Sequence, residues 1–367
     1  MPADVRRNVY VIMPSLLLQK IRSCKPVRRI YGVLLKWALK LIRIVYLHRL
    51  RKLAKSATWI STNHKVLVAA NNGGIGDAVE ATPLVQAIRI FWPKSNITFL
   101  TLEGDLFDGW CVPDRIIKSA EDLKGHSFNH SFFPHSGSLT LPQWVSSYSL
   151  GKVHTIKPSV NKWYLKNCRE YNMDTVRAMG YKGPAPLAYV SLKKPQQSIP
   201  AGDLLVCLVP GSKTTHRWRY KQWPYFAQLA RQILDKYPQA GIAIIGTAED
   251  KIDGNMLTGN RVTDLRSRLS LSETAWVLKN STVVVGNDCG PMHIADAVGT
   301  PAVVIFGPSS ELKNSPRHKS VYISAELECR PCEFDSTIES CRDPKCMTMI
   351  TADLVMKKIQ MLLDAFC

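Results

Sequence analysis

The chain has 367 residues, of which 46% are hydrophobic and 21% charged, with a formal net charge of +19. That length accommodates two domains with full cores, and the composition excludes a disordered chain. The charge is concentrated: residues 1–60 carry 14 Lys and Arg against one acid, Asp4, leaving only +6 on the other 307 residues, so no nucleic-acid partner is expected.

From Val27 to Leu53 the pattern is aliphatic and aromatic, with Arg29, Lys36, Lys40 and Arg43 along one stripe of a helix. Its longest uncharged run is the six residues Ile30–Leu35, far short of the roughly 20 that span a bilayer. Residues 1–60 are therefore expected to form a basic amphipathic extension lying on an anionic membrane surface. Packing of the same helix on its own protein body is the alternative. Asn8–Gln19 is apolar but interrupted by Pro14, which suits neither a spanning helix nor a secretory signal. Six of the ten cysteines (Cys24, Cys111, Cys168, Cys207, Cys289 and Cys367) are scattered. Without an export signal they are expected to be reduced thiols in a cytoplasmic protein, peripheral on the inner face of the membrane.

Beyond the extension the chain alternates strand and helix. Val66–Ala70 is a predicted strand, Asn71–Gly76 a glycine-rich turn and Asp77–Phe91 a helix, with Asp77 and Glu80 spaced as a capping box. Ile97–Leu100 is the next strand. Residues 101–200 are loop-rich, and Ser191–Gly202 has the composition of a linker. The alternation restarts with strand Leu204–Val209, loop Pro210–Trp223, helix Pro224–Tyr237 and strand Gly241–Ile245. It continues through helix Ser272–Lys279, strand Thr282–Gly286, turn Asn287–Pro291, helix Met292–Val298 and strand Ala302–Phe306, and ends with helix Ala352–Phe366. Short charge-free runs rich in β-branched residues, separated by helices, indicate parallel sheets covered on both faces. The expected division is 1–60, a first domain 61–195, a second domain 196–350 and a terminal helix 351–367.

Asp288–Cys289–Gly290 lies between a strand's carboxyl end and a helix's amino end, where open α/β sheets bind ligands and free amides favour an anion. Pro291 has no N–H, so Gly290, Met292 and His293 are the candidate amide donors. Asp288 is expected to organise the turn. His293 reads equally as a packed, capping or ligand-binding histidine. Lys213, Arg217 and Arg219, between Ser212 and Lys221, add cations to this loop, which reads otherwise as a solvated basic loop. Asn71–Asp77 lacks the third glycine and ribose acid of the dinucleotide fingerprint, which argues against a dehydrogenase. The chain contains no Asp-x-Asp pair; this supports metal-independent chemistry with no catalytic cofactor. Cys329, Cys332, Cys341 and Cys346 are spaced to hold a structural zinc or iron, with free thiols or a disulfide as alternatives.

Three segments resemble one family. Gly76–Asp77 with Thr82–Pro83, Ala87–Ile88–Arg89 and Pro93 resembles the amino-terminal motif of the ADP-heptose:lipopolysaccharide heptosyltransferases. Pro210–Gly211–Ser212 with Lys221–Gln222–Trp223–Pro224 is similar to their donor-phosphate motif. Asp288–Cys289–Gly290–Pro291–Met292–His293, followed by Gly299–Thr300–Pro301 and Phe306–Gly307–Pro308, is similar to their third. The similarity covers about residues 65–310 and leaves 1–60 outside.

The resemblance implies a GT-B fold, with two Rossmann-like domains facing across a cleft. It implies inverting transfer of heptose from ADP-heptose to a sugar hydroxyl of the lipopolysaccharide core or a lipid-linked acceptor. Asp77 corresponds to the catalytic base, with Gly74 and Gly76 on the acceptor side. Lys221 corresponds to the phosphate-binding lysine, Ser212 to a residue near the phosphates, and Glu249 or Asp250 to the acid that accepts from the ribose. The competing expectations are a transferase using another nucleotide sugar or a protein acceptor, and a non-catalytic GT-B protein that binds glycolipid as a scaffold.

Overall fold

The computed structural model describes residues 63–366 apart from 71–72, 135–142, 156–165, 201–202, 213–215, 253–259 and 334–336. The basic extension and the Asn8–Gln19 stretch thus lie outside the described residues. No helix among those described is long and apolar enough to cross a membrane.

Two wholly parallel sheets form the frame. The first contains β1 (Lys65–Ala69), β2 (Asn96–Leu100), β3 (Arg115–Ile117), β4 (His130–Phe133) and β5 (Lys152–Thr155), in the order β3-β2-β1-β4-β5. The second contains β6 (Leu204–Val209), β7 (Ala240–Ile244), β8 (Val262–Asp264), β9 (Val283–Asn287), β10 (Ala302–Phe306) and β11 (Ser320–Ser324), in the order β11-β10-β9-β6-β7-β8. Every residue of β6, β7, β9 and β10 is buried, as expected for strands covered on both faces.

In each sheet the strand order reverses at one place, between β1 and β4 and between β6 and β9. Such reversals leave a crevice at the carboxyl ends of the strands, because the connections depart to opposite faces. The glycine turn after β1 opens at the first reversal. Pro210–Ser212 after β6 and Asp288–Gly290 after β9 open at the second. The motifs therefore sit where the topology makes room for ligands.

The helices close around these crevices. Helix α1 is Ile75–Phe91, α2 Cys168–Arg177, α3 Phe226–Lys236, α4 Leu271–Asn280 and α5 Gly290–Val298; α6 is Glu311–Asn314, α7 Thr337–Ser340, α8 Lys345–Thr348 and α9 Ala352–Phe366. Ser270 caps α4 with its side chain while Glu273 returns a bond to the Ser270 amide, the reciprocal capping that fixes a helix start. One apolar cluster contains Val68, Val79, Val85 and Phe99 as well as Val209, Val284, Met292 and Ile294. Apolar packing is continuous from the first sheet, through α1 and α5, to the second. A separate cluster around Trp223, Phe226 and Leu229 takes in Val355, Ile359 and Leu362 of α9, so the carboxyl-terminal helix covers the second sheet.

Two local expectations change. Helix α1 begins at Ile75 with Gly74 as its N-cap, which places Asp77 within the first turn; the carboxylate accepts from the Gly74 amide instead of capping with Glu80. The region 101–200 contributes β3, β4, β5 and α2. Its strands are three or four residues long, too short for a clear alternation in sequence.

Candidate active site

The amino ends of α1 and α5 abut. A Cβ added to Gly76 would lie 2.7 Å from His293 Cδ2, and one added to Gly290 would lie 2.7 Å from Ile75 Cβ. Only glycine permits this approach. Each helix amino end carries partial positive charge from unpaired amides, and two ends brought together make a strong anion site. Asp77 stands in the first turn of α1, its Oδ2 accepting the Gly74 N–H at 2.8 Å.

On the α5 side, Lys221 Nζ donates to Asp288 Oδ2 at 2.6 Å, and both residues are buried. The same oxygen accepts from Asn314 Nδ2 at 3.1 Å, and the ammonium lies 4.6 Å from the centre of the Trp218 ring. Burial opposes ionisation of both partners, but each charge outweighs it in the other: the Lys221 pKa is raised and that of Asp288 lowered. Asn287 stitches the loops together, donating to Pro210 O at 2.7 Å and accepting from the Trp223 amide at 3.1 Å. The three separate segments thereby form one polar cradle.

The remaining expected residues divide. Asp250 is buried, accepts the Thr247 amide at 2.6 Å and lies against Gly211, where a Cβ would meet its Oδ2 at 2.2 Å. Glu249 is exposed. The structure thus brings Asp250, not Glu249, to the loop after β6. Ser212 Oγ donates to Trp218 O at 3.4 Å. Met292 is buried with its sulfur above Gly286, and its amide already bonds Cys289 O at 3.1 Å. That bond removes it from the expected donor set, leaving the amides of Gly290 and His293. Arg219 turns to Tyr220, whose hydroxyl it meets at 2.7 Å. Lys213 and the Arg217 side chain lie outside the described residues.

His293 takes a role the sequence left open. Its Nδ1 meets Glu80 Oε1 at 3.0 Å. Arg169 donates to both oxygens of Glu80, at 2.7 and 2.8 Å, and to Asp296 Oδ2 at 2.7 Å. Asp296 in turn accepts the His318 amide at 2.6 Å. Arg169, Glu80 and Asp296 are almost fully buried, so α1, α2 and α5 are joined by a desolvated charge cluster beside Asp77. Burial would raise the Glu80 pKa, but the Arg169 charge and the His293 contact hold it down at about 2. Burial lowers the His293 pKa, yet the bond to Glu80 and that carboxylate's charge raise it overall.

A pH dependence follows. A raised folded pKa means the His293–Glu80 contact contributes fully below the unfolded histidine value of about 6.5, and fades as pH rises through the higher folded value. The melting temperature of His293→Gln is therefore expected to lie further below wild type at about pH 6 than at about pH 9. A gap that stays constant or widens with pH would contradict the assignment.

Cys329, Cys332, Cys341 and Cys346 are the expected structural-metal ligands. All four are free thiols, and among the described residues no group of three or more His, Cys, Asp or Glu is arranged to hold a metal ion. The amides of Cys332 and Glu333 both bond Pro308 O, and Cys346 is buried on α8. Burial raises the Cys346 thiol to about 11, with the neighbouring cysteines adding to the shift.

Sequence reasoning missed Arg169, Asp296 and the true partner of Glu80. Arg169 lies in the region with no readable motif, and nothing local to it signals a contact across so many residues.

Comparisons with known proteins agree with this geometry. Residues 162–341 match glycosyltransferase family 9 (heptosyltransferase). The chain is 31% identical over 105 residues to lipooligosaccharide heptosyltransferase 2 of Haemophilus influenzae, covering 26% of this chain and 30% of that one. It is 31% identical over 99 residues to lipopolysaccharide heptosyltransferase 2 of Escherichia coli, covering 24% and 28%. The matched segments thus span about a third or less of these curated relatives. In structure, the E. coli ADP-heptose lipopolysaccharide heptosyltransferase II superposes with a TM-score of 0.61 at 17% identity, over 82% of this chain and 98% of that one. An E. coli heptosyltransferase solved with ADP gives 0.60 at 17% identity, over 81% and 99%. These likenesses establish a shared fold, the GT-B arrangement of two facing Rossmann-like sheets.

Proposed function

We propose that the chain, which matches glycosyltransferase family 9 (heptosyltransferase) over residues 162–341, is a heptosyltransferase that moves heptose from ADP-heptose to a sugar hydroxyl of the lipopolysaccharide core, with inversion and without a catalytic metal. The observation that carries this reading is the meeting of the α1 and α5 amino ends, with Asp77 on one side and the Lys221–Asp288 pair on the other.

The chemistry follows from what these groups can do. An attacking hydroxyl must lose its proton as its oxygen bonds to the anomeric carbon. Asp77 receives that proton; the Gly74 amide holds one of its oxygens, which orients the carboxylate. The helix amino end favours its ionised form. As the bond from the anomeric carbon to the diphosphate breaks, the electron pair passes to the leaving phosphate oxygen. The amino end of α5 and the Lys221 ammonium stabilise that developing charge. Attack from the face opposite the diphosphate inverts the anomeric centre. Asp250 is the residue we assign to the ribose, because it is the buried acid at the cradle. Ser212, in the loop after β6 that Asp250 packs against, is the residue we assign to a phosphate oxygen.

We place the protein at the inner membrane surface through its basic residues 1–60, beside a phosphorylated, lipid-linked acceptor. Replacing Arg29, Lys36, Lys40 and Arg43 together by glutamine is expected to release the protein from sedimenting anionic vesicles. Undiminished sedimentation would remove this part of the reading.

The test of the activity is direct. With ADP-heptose and a core acceptor, ADP release should equal the acceptor's gain of one heptose, and UDP- or GDP-sugars should not substitute. Binding of the donor or acceptor without turnover would instead favour a glycolipid-binding scaffold.

A further inference from the structure

We propose that Lys313 is a second cationic contact for the donor diphosphate, on the β-phosphate that carries the sugar; this rests on the nucleotide-sugar reading of the cradle above. Helix α6 follows the carboxyl end of β10, and Ser310 caps it by accepting from the Lys313 amide at 3.4 Å. Two bonds fix where α6 lies. Asn314, the next residue, donates to the Asp288 oxygen that also holds Lys221, at 3.1 Å. Ser315 O accepts from Asn167 Nδ2, the N-cap of α2, at 2.9 Å. The short helix therefore bridges from the α5 cradle to the start of α2.

Lys313 occupies the middle of that bridge. It is 5% exposed, and its Nζ stands 3.7 Å from Glu333 Oε1. Through Asn314 the helix reaches Asp288, and through Ser315 it reaches Asn167, beside the Arg169 that holds Glu80 of α1. Lys313 thus sits on a segment between the Lys221–Asp288 pair and the α1–α2 junction.

The charge arrangement has a chemical consequence. Two ammonium groups alternate with two carboxylates, Lys221 with Asp288 and Lys313 with Glu333, so the set is neutral by itself. Each carboxylate keeps a buried lysine in place at low cost, since an unpaired buried charge is strongly disfavoured. A diphosphate presents two charged groups in a row, and two ammonium groups can each neutralise one of them. The phosphate nearer the sugar lies nearer Asp77 in any productive arrangement, and the segment that carries Lys313 reaches toward α2, whose Arg169 holds Glu80 one turn from Asp77.

The nucleotides themselves separate the roles, because ADP has the β-phosphate and AMP lacks it. Calorimetry of wild type is expected to show tighter binding of ADP than of AMP. Lys313→Met should lose about tenfold or more of ADP affinity while AMP affinity holds, and Lys313→Arg should recover part of the preference. Glu333→Gln, which keeps the lysine, should retain the preference for ADP. The double variant Lys313→Met/Glu333→Met removes both charges together, and should repeat the selective loss even if the single variant folds poorly. Equal weakening of both nucleotides, or an unchanged ratio in the double variant, would overturn the role. Wild type that binds neither nucleotide would remove the donor-site reading on which it stands.

Discussion

Arg169→Met is expected to destabilise the protein by roughly 3–5 kcal/mol, read from urea denaturation, because it breaks a buried ion pair by removing one partner. The guanidinium faces two carboxylates, Glu80 and Asp296, that have almost no exposure to water. Without it, among the described residues, Glu80 keeps the His293 contact and Asp296 the His318 contacts. Adding Glu80→Leu to Arg169→Met removes a stranded charge, and should recover part of the loss despite deleting a second native residue. A double variant as unstable as the sum of its parts would show that packing, not charge, dominates there. The cluster's position also ties it to function. Glu80 is one helical turn from Asp77, and His293 lies in the opening turns of α5 against Gly76. Loosening it should therefore lower turnover before it abolishes nucleotide binding.

The second large effect is chemical. Asp77→Asn is expected to reduce heptose transfer by about 10²–10⁴-fold, the range a positioned general base contributes, while ADP affinity changes little. Asparagine is the informative replacement. Its Oδ1 can still accept from the Gly74 amide, so the turn that the carboxylate stabilises at 2.8 Å is retained. What is lost is the ability to receive a proton. Alanine would remove both functions and confuse a capping defect with a catalytic one. Transfer by Asp77→Asn at the wild-type rate would assign the residue to helix capping alone.

The framework was legible where local physics is strong. Val283–Asn287 and Ala302–Phe306 are fully buried parallel strands, and their uninterrupted β-branched runs announce that environment in the sequence. The turn motifs were equally readable, because glycine marks the close approach at positions 76 and 290. The start of α1 was misplaced by two residues, since Gly74 supplies a cap with no side chain to reveal it. Glu80 then paired in space rather than along the helix. Its partners Arg169 and His293 are 89 and 213 residues away, and no periodicity encodes such contacts. The cysteine spacing suggested a metal, and in the fold Cys329, Cys332 and Cys341 lie close enough to Cys346 to act on its thiol. Choosing between Glu249 and Asp250 likewise required coordinates, because neighbours in sequence can differ completely in burial.

The central claim is that a sugar diphosphate is held where two helix amino ends meet, and a crystal structure with ADP tests it most directly. The account predicts diphosphate oxygens within hydrogen-bonding distance of the amides at the start of α5 and of Lys221 Nζ, with the Asp77 carboxylate facing the β-phosphate side. ADP bound away from residues 288–293, or with Asp77 turned from it, would contradict the account.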